Sequence, residues 1–174
     1  AGEEEMTVIR TLLISIGIVI GTLVLLIGCG ADNNGVEKYM ATVTHINPEG
    51  MHRNPAFTQM ISVEGPHRTL YIGGQNAVSA EGEIVGKGDI SAQAQQVFQN
   101  LQTALAAGGA SLENVVKWNV YVLQGQPAQP AIQIFQEVWG RRPNPPTICV
   151  ITVAGLAHPD FLLEMDAIAV VPIE

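Results

Sequence analysis

From Thr147 to Leu156 and again from Phe161 to Val171 the chain is a run of apolar and β-branched residues, separated only by Ala157-His158-Pro159-Asp160. Short apolar runs bounded by turn residues predict two strands, here a pair joined by a turn. Pro145-Pro146 limits where the first can begin, because proline has no amide hydrogen to give a ladder. In the second run Leu163, Met165 and Ala167 alternate with Glu164 and Asp166. A period of two therefore puts both carboxylates on one face of the strand. Two carboxylates on an otherwise apolar strand make either a site of acid–base chemistry or an acidic edge facing solvent, and spacing leaves both open.

The preceding chain carries similar punctuation. Ala56 to Val63 alternates as a strand, Glu64-Gly65-Pro66-His67-Arg68 supplies turn residues, and Thr69 to Gly73 begins a returning strand, so a hairpin is predicted. Gly73-Gly74-Gln75 ends it. A glycine pair serves a plain bend, a positive φ, or the close approach of a ligand or another chain. Asp89 and Ser91 offer N-caps for a helix to about Ala107, with Gly108-Gly109 as its stop. Ala94, Val97, Phe98, Leu101, Ala104 and Leu105 recur at helical spacing, which predicts a buried stripe; Gln93, Gln96, Gln99 and Gln102 fall on the other side. Val115 to Val122 reads as the next strand. Ile132, Phe135, Val138 and Trp139 then mark a shorter helix from Ala131 to Trp139. The order β-β-α-β-α-β-β predicts an α+β domain with two helices on one face of a mixed sheet. The other sheet face lacks cover from this chain, for which self-association is the economical solution.

One segment stands outside that pattern. Thr11 to Ile27 is almost wholly apolar and uncharged, enough for a helix of about 25 Å, slightly short of a typical hydrocarbon core. It follows the charged stretch Met6 to Arg10 and ends in Leu26-Ile27-Gly28-Cys29, which resembles the lipobox of bacterial lipoprotein precursors. Three readings follow: a lipoprotein signal cleaved before Cys29, which then carries lipid; an uncleaved single-span anchor; or a helix packed in a soluble core. The first is the expected reading. Residues 1–28 are then a signal peptide or membrane anchor, residues 29–50 a tether and lead-in that starts with the glycine-rich Gly30 to Gly35, and residues 51–174 the domain. The expected location is the extracytoplasmic side of the cell membrane, held by lipid on Cys29 or, on the second reading, by a single pass.

Composition narrows the chemistry. Eight Lys and Arg against 16 Asp and Glu give a net charge of −8, so no nucleic-acid partner is expected, since phosphate contacts need clustered basic side chains. Two cysteines cannot make a disulfide framework. The four histidines show no ligand spacing, so neither a metal nor a cofactor is expected. Gly86-Lys87-Gly88 lacks the third glycine and the Lys-Ser/Thr ending of a phosphate loop.

The element order, with Tyr71-Ile72-Gly73-Gly74-Gln75, Asn100-Leu101, Val115-Val116-Lys117 and Leu163-Glu164-Met165-Asp166-Ala167-Ile168-Ala169, resembles the Rid (YjgF/RidA) family across about Phe57 to Pro172. The resemblance implies a chorismate-mutase-like fold, a homotrimer with clefts between subunits, and hydrolysis of reactive enamines and imines such as 2-aminoacrylate. It also implies residue roles. Glu164 matches the acidic residue that helps activate water, which leaves Asp166 to the strand's polar face. Gly73-Gly74-Gln75 matches a Ser-Gly-Gln motif but lacks the serine hydroxyl, and Phe57 matches a tyrosine but lacks the phenol oxygen. The arginine that holds a substrate carboxylate falls on Ile148 in an ungapped match or on Thr147 after a one-residue shift, and neither offers a guanidinium. Cys149 matches a cysteine of some members. Ligand-binding candidates are therefore Phe57, Gly73, Gly74, Gln75, Ile148 and Cys149, with Glu164 catalytic. Three functions stay open: a Rid-like hydrolase for a less acidic substrate, a trimer that binds an apolar or neutral small molecule without chemistry, and a structural trimer held at a membrane.

Overall fold

The computed structural model describes residues 40–173; the expected signal or anchor, Cys29 and the glycine-rich tether lie outside them. The elements run β1 Thr42–Ile46, β2 Met60–Glu64, β3 His67–Gln75, α1 Ile90–Ala107, β4 Val115–Leu123, α2 Gln129–Trp139, β5 Thr147–Val153 and β6 Leu163–Pro172. This is the α+β class expected, with β1 added inside the stretch read as lead-in.

The helices form where their signals stand. The Asp89 carboxylate accepts from the backbone N–H of Ser91 and Ala92 at 2.9 and 3.1 Å, and past Gly108 the chain leaves α1 through Gly109 at φ +69°. Val97, Leu101 and Leu105 are fully buried, each contributing about 1.5–3 kcal/mol of apolar burial. Gln93 departs from its expected exposed side and is fully buried. It bridges two loops: Nε2 donates to Gly86 O at 3.2 Å and Asp160 O at 2.7 Å, and Oε1 accepts from Leu162 N at 2.9 Å. In α2 the buried residues are Ile134 and Trp139, whereas Ile132, expected in the buried stripe, is 38% exposed. With Ile148 and Val150 of β5 it lines a cavity and so lacks close-packed cover.

Two predicted pairings are not formed. The main sheet has the order β3-β6-β4-β5, so β4 separates the two strands read as a pair. β4 and β5 run parallel, which a tight turn cannot connect, and α2 supplies the crossover. Nor do β2 and β3 make a hairpin ladder: β2 pairs with β1, from Thr42↔Glu64 to Ile46↔Met60, and β3 pairs with β6. Pro66 between them has no N–H to give, and its carbonyl accepts from Ile173 N at 3.2 Å, which prolongs the β3–β6 edge. The β1–β2 ribbon is tied to the start of β5 by Thr58, whose N–H donates to Pro146 O at 3.0 Å and whose hydroxyl donates to Pro145 O at 2.5 Å.

Alternation then fixes the two sheet faces. Trp118, Val122, Leu163, Met165 and Ala167 join the core with both helices. Lys117, Asn119, Tyr121, Glu164 and Asp166 point the other way, and no described helix covers them; Tyr71 and Ile151 on this open face are 80% and 43% exposed.

Candidate functional site

Glu164 and Gly74 meet at the end of the β3–β6 ladder. The register shifts between Ile72 and Gln75, and there the Glu164 carboxylate lies against bare backbone: a Cβ on Gly74 would sit 2.7 Å from its Cδ and overlap Oε1. Of the readings for the glycine pair, Gly74 thus serves a close approach, to a carboxylate of the same chain. Asn76 Nδ2 donates to Glu164 Oε2 at 3.1 Å. Asn76 is held in turn by α1, where Asn100 Nδ2 donates to the carbonyls of Asn76 and Val78, both at 2.9 Å, and Gln96 Nε2 donates to Asn100 Oδ1 at 2.8 Å. The Asn100-Leu101 motif therefore has a physical basis, in which Leu101 fills the core while Asn100 fixes the loop that orients Glu164.

Asp166 is occupied differently. Asn119 Nδ2 donates to Oδ1 at 2.8 Å and Tyr121 OH donates to Oδ2 at 3.0 Å. That bond, with the negative charges around it, holds the Tyr121 phenol above its ordinary range. Both Asp166 oxygens are thus committed, whereas among the described residues Glu164 Oε1 receives no donor. Asn76, Asn119 and Tyr121 escaped the sequence reading. The signal for the last two was their alternation with Trp118 and Val120, which puts them on one face.

The other candidates divide between the faces. Cys149 is exposed on the open face with Lys117 Nζ 3.3 Å from its sulfur, and Thr147 shares that face, its hydroxyl donating to Val116 O at 3.0 Å. Gly73 is exposed, and Gln75 Nε2 donates to its carbonyl at 3.0 Å. Ile148 turns to the helix side. There it lines, with Phe57, Trp118, Ile132, Phe135 and Val150, a cavity of about 370 Å³ between α2 and the edge of the sheet. One cleft within the chain therefore cannot hold both Ile148 and Cys149, because neighbours on a strand point to opposite faces. Among the described residues no group of three His, Cys, Asp or Glu side chains could hold a metal ion.

At the lower edge, His45 Nδ1 lies 3.2 Å from the Thr58 hydroxyl. Since that hydroxyl's proton goes to Pro145 O, Nδ1 is the donor. Burial pushes the imidazole below its ordinary pKa, with a hydrogen bond to the Pro145 backbone opposing.

The chain is similar to several known proteins. A RutC family protein of Pyrococcus abyssi is 36% identical over 101 residues, spanning 58% of this chain and 76% of its own. The 3-aminoacrylate deaminase RutC of Acinetobacter baylyi is 28% identical over 125 residues, 71% of this chain and 94% of that one. Among solved structures, YyfB of Yersinia pestis, from the conserved Rid protein family, superposes with a TM-score of 0.65 at 37% identity, covering 73% of this chain and 97% of that chain. The sequence pattern described as Endoribonuclease L-PSP matches residues 51–171, and with that match the chain belongs to the Endoribonuclease L-PSP family, which includes the Rid and RutC proteins.

Proposed function

We propose that the chain hydrolyses a small enamine or imine on the open face of its sheet, in a cleft completed by a second copy of the chain, with Glu164 handling the proton of the attacking water. The observation that carries this reading is the seating of Glu164: one oxygen is fixed by Asn76, and the other lies over a glycine with no side chain. A carboxylate with one oriented and one uncommitted oxygen suits a general base, which must reach its proton at hydrogen-bond distance. The name of the Acinetobacter baylyi relative, a deaminase of 3-aminoacrylate, points to the same class of substrate.

The chemistry balances: one imine and one water give one carbonyl compound and one ammonia. An enamine first takes a proton on its β-carbon and becomes the imine. Water then adds to the carbon of the protonated C=N group while Glu164 accepts its proton; Glu164 returns that proton to the nitrogen of the carbinolamine, and as the C–N bond breaks the hydroxyl proton passes to the freed carboxylate, leaving the carbonyl compound and ammonia. No arginine stands at either candidate position for a substrate carboxylate. Ile148 lies on the far face, and the Thr147 hydroxyl is already committed to Val116 O. The substrate is therefore an imine without a carboxylate to clamp, or one whose charge meets Lys117. The open face with its exposed Tyr71 and Ile151 suits burial against another copy.

The family's description also names RNA cleavage. The chain's net charge of −8 and the two carboxylates on the open face weigh against a polyanionic substrate. Incubation of the purified protein with a neutral imine and with the imino acids generated by an amino-acid oxidase, alongside a single-stranded RNA, separates the two. Faster ammonia release with intact RNA supports the proposal; RNA cleavage without ammonia release overturns it.

A further inference from the structure

Given the hydrolysis proposed above, on which this rests, we infer that Tyr121 receives the nitrogen of the substrate, and that the substrate is the iminium cation of an imine without a carboxylate, such as the oxidation of a primary amine yields. Tyr121 stands directly across from Glu164 in the β4–β6 ladder, and Asn119 stands across from Asp166 further along the same face. Facing side chains in such a pair begin about 5 Å apart. A small C=N group beside Glu164 can therefore meet the phenol oxygen.

The direction of the Tyr121 hydrogen bond decides what that oxygen recognises. Its proton goes to Asp166 Oδ2 at 3.0 Å, and the oxygen's lone pairs receive no donor among the described residues. The hydrogen bond to Asp166 is the main cause of the phenol's raised pKa, and the Asp166 and Glu164 charges add to it. The proton thus stays in place at neutral pH. Tyr121 offers an acceptor and has no donor left for a carboxylate. A protonated C=N group carries N–H donors and a positive charge, which complement this oxygen and the two carboxylates beside it.

A carboxylate on the same carbon finds no such complement. Lys117, the cation of β4, lies about 13 Å along the strand from Tyr121, and its Nζ stands 3.3 Å from Cys149 Sγ. Between the two on that face come Asn119, whose Nδ2 donates to Asp166 Oδ1 at 2.8 Å, and the Asp166 charge itself. A substrate carboxylate reaching for Lys117 would lie against Asp166. Like charges brought together in this way reject the wrong substrate.

Two probes that bind without reacting and two imines on the same phenyl frame test this. Benzamidinium carries a planar cationic C–N group, and benzoate has a carboxylate in its place. The full-length protein should bind benzamidinium at least about tenfold tighter than benzoate. Tyr121→Phe and Asp166→Asn, each checked for folding by its amide spectrum, should weaken benzamidinium about tenfold, as for one charge-assisted hydrogen bond. Benzaldimine is made in place from benzylamine by a flavin-dependent amine oxidase, and 2-imino-2-phenylacetate from phenylglycine by an amino-acid oxidase. Measured as acceleration over the oxidase alone, kcat/KM should be at least about tenfold higher for benzaldimine, and Tyr121→Phe should narrow that ratio. Equal or faster hydrolysis of the imino acid, no binding of benzamidinium, or unchanged benzamidinium affinity in folded Tyr121→Phe overturns the inference, whether or not hydrolysis is seen. Acceleration of neither imine, with benzamidinium bound through Tyr121 as expected, overturns the hydrolysis and supports the recognition of the cation.

Discussion

The Glu164 carboxylate occupies the place where a side chain on Gly74 would begin: a Cβ there would come within 2.7 Å of Glu164 Cδ. What must give way is the end of a flexible side chain and not backbone. Gly74→Ala is therefore expected to change unfolding free energy by no more than about 1 kcal/mol while displacing the carboxylate. A displacement of about 1 Å at a reacting group costs on the order of 100-fold in rate. Urea denaturation and hydrolysis assays on the same preparation should show the two effects separated.

Gly65 gives the opposite result. Its φ is +84°, and a Cβ would meet Met40 O at 2.9 Å and Ala41 Cα at 3.1 Å, both backbone atoms of the segment leading into β1. Neither obstacle can swing away. Gly65→Ala should lower stability by about 1–3 kcal/mol, read as a lower denaturation midpoint.

Asn100 tests whether the loop after β3 is positioned from the helix. Asn100→Ala removes both bonds to the Asn76 and Val78 carbonyls, and Asn76 then orients Glu164 less well. The expected outcome is a fall in kcat of at least about tenfold with KM changed less, since a positioning effect of this kind acts on the reacting geometry. Equal loss through KM alone would place Asn100 in substrate binding instead.

Gln93→Leu keeps roughly the side-chain volume but leaves the Leu162 N–H without its acceptor. The loss should be about 2–4 kcal/mol, because several hydrogen bonds go at once and one buried donor is orphaned. Thermal unfolding checks it.

His45 should make stability depend on pH. Burial holds its folded pKa below the unfolded value of about 6.5, so the unfolded chain binds more protons in the interval between the two. Stability contributed by neutral His45 is complete above about pH 6.5, falls as pH drops through that interval, and levels off below the folded pKa. The difference in denaturation midpoint between pH 8 and pH 5 should shrink in His45→Asn.

The elements were more legible than their partners. Asp89 before α1 and Gly108-Gly109 after it mark both ends through local chemistry, and the alternation around Glu164 and Asp166 places both on one face without any knowledge of the sheet. Pairing is non-local, so the turn residues Glu64 to Arg68 suggested a hairpin that β1 and β6 break up by competing for its two strands. Gln93 reads as a surface residue because glutamine side chains are mostly exposed. It becomes a core residue only when the loops at Gly86 and Asp160 close over it. The family resemblance groups Ile148 with Cys149, whereas the strand's own period separates them.

If Glu164 takes the proton of water at a C=N carbon, as proposed, ammonia release from a neutral imine must fall sharply when the unaltered protein is compared with Glu164→Gln. Glutamine keeps the shape and can still meet Asn76, but it cannot take a proton. The expected result is catalysis above buffer by the unaltered protein and a loss of about 100- to 10,000-fold in the variant. Equal rates for the two proteins, or no acceleration by either, would contradict it.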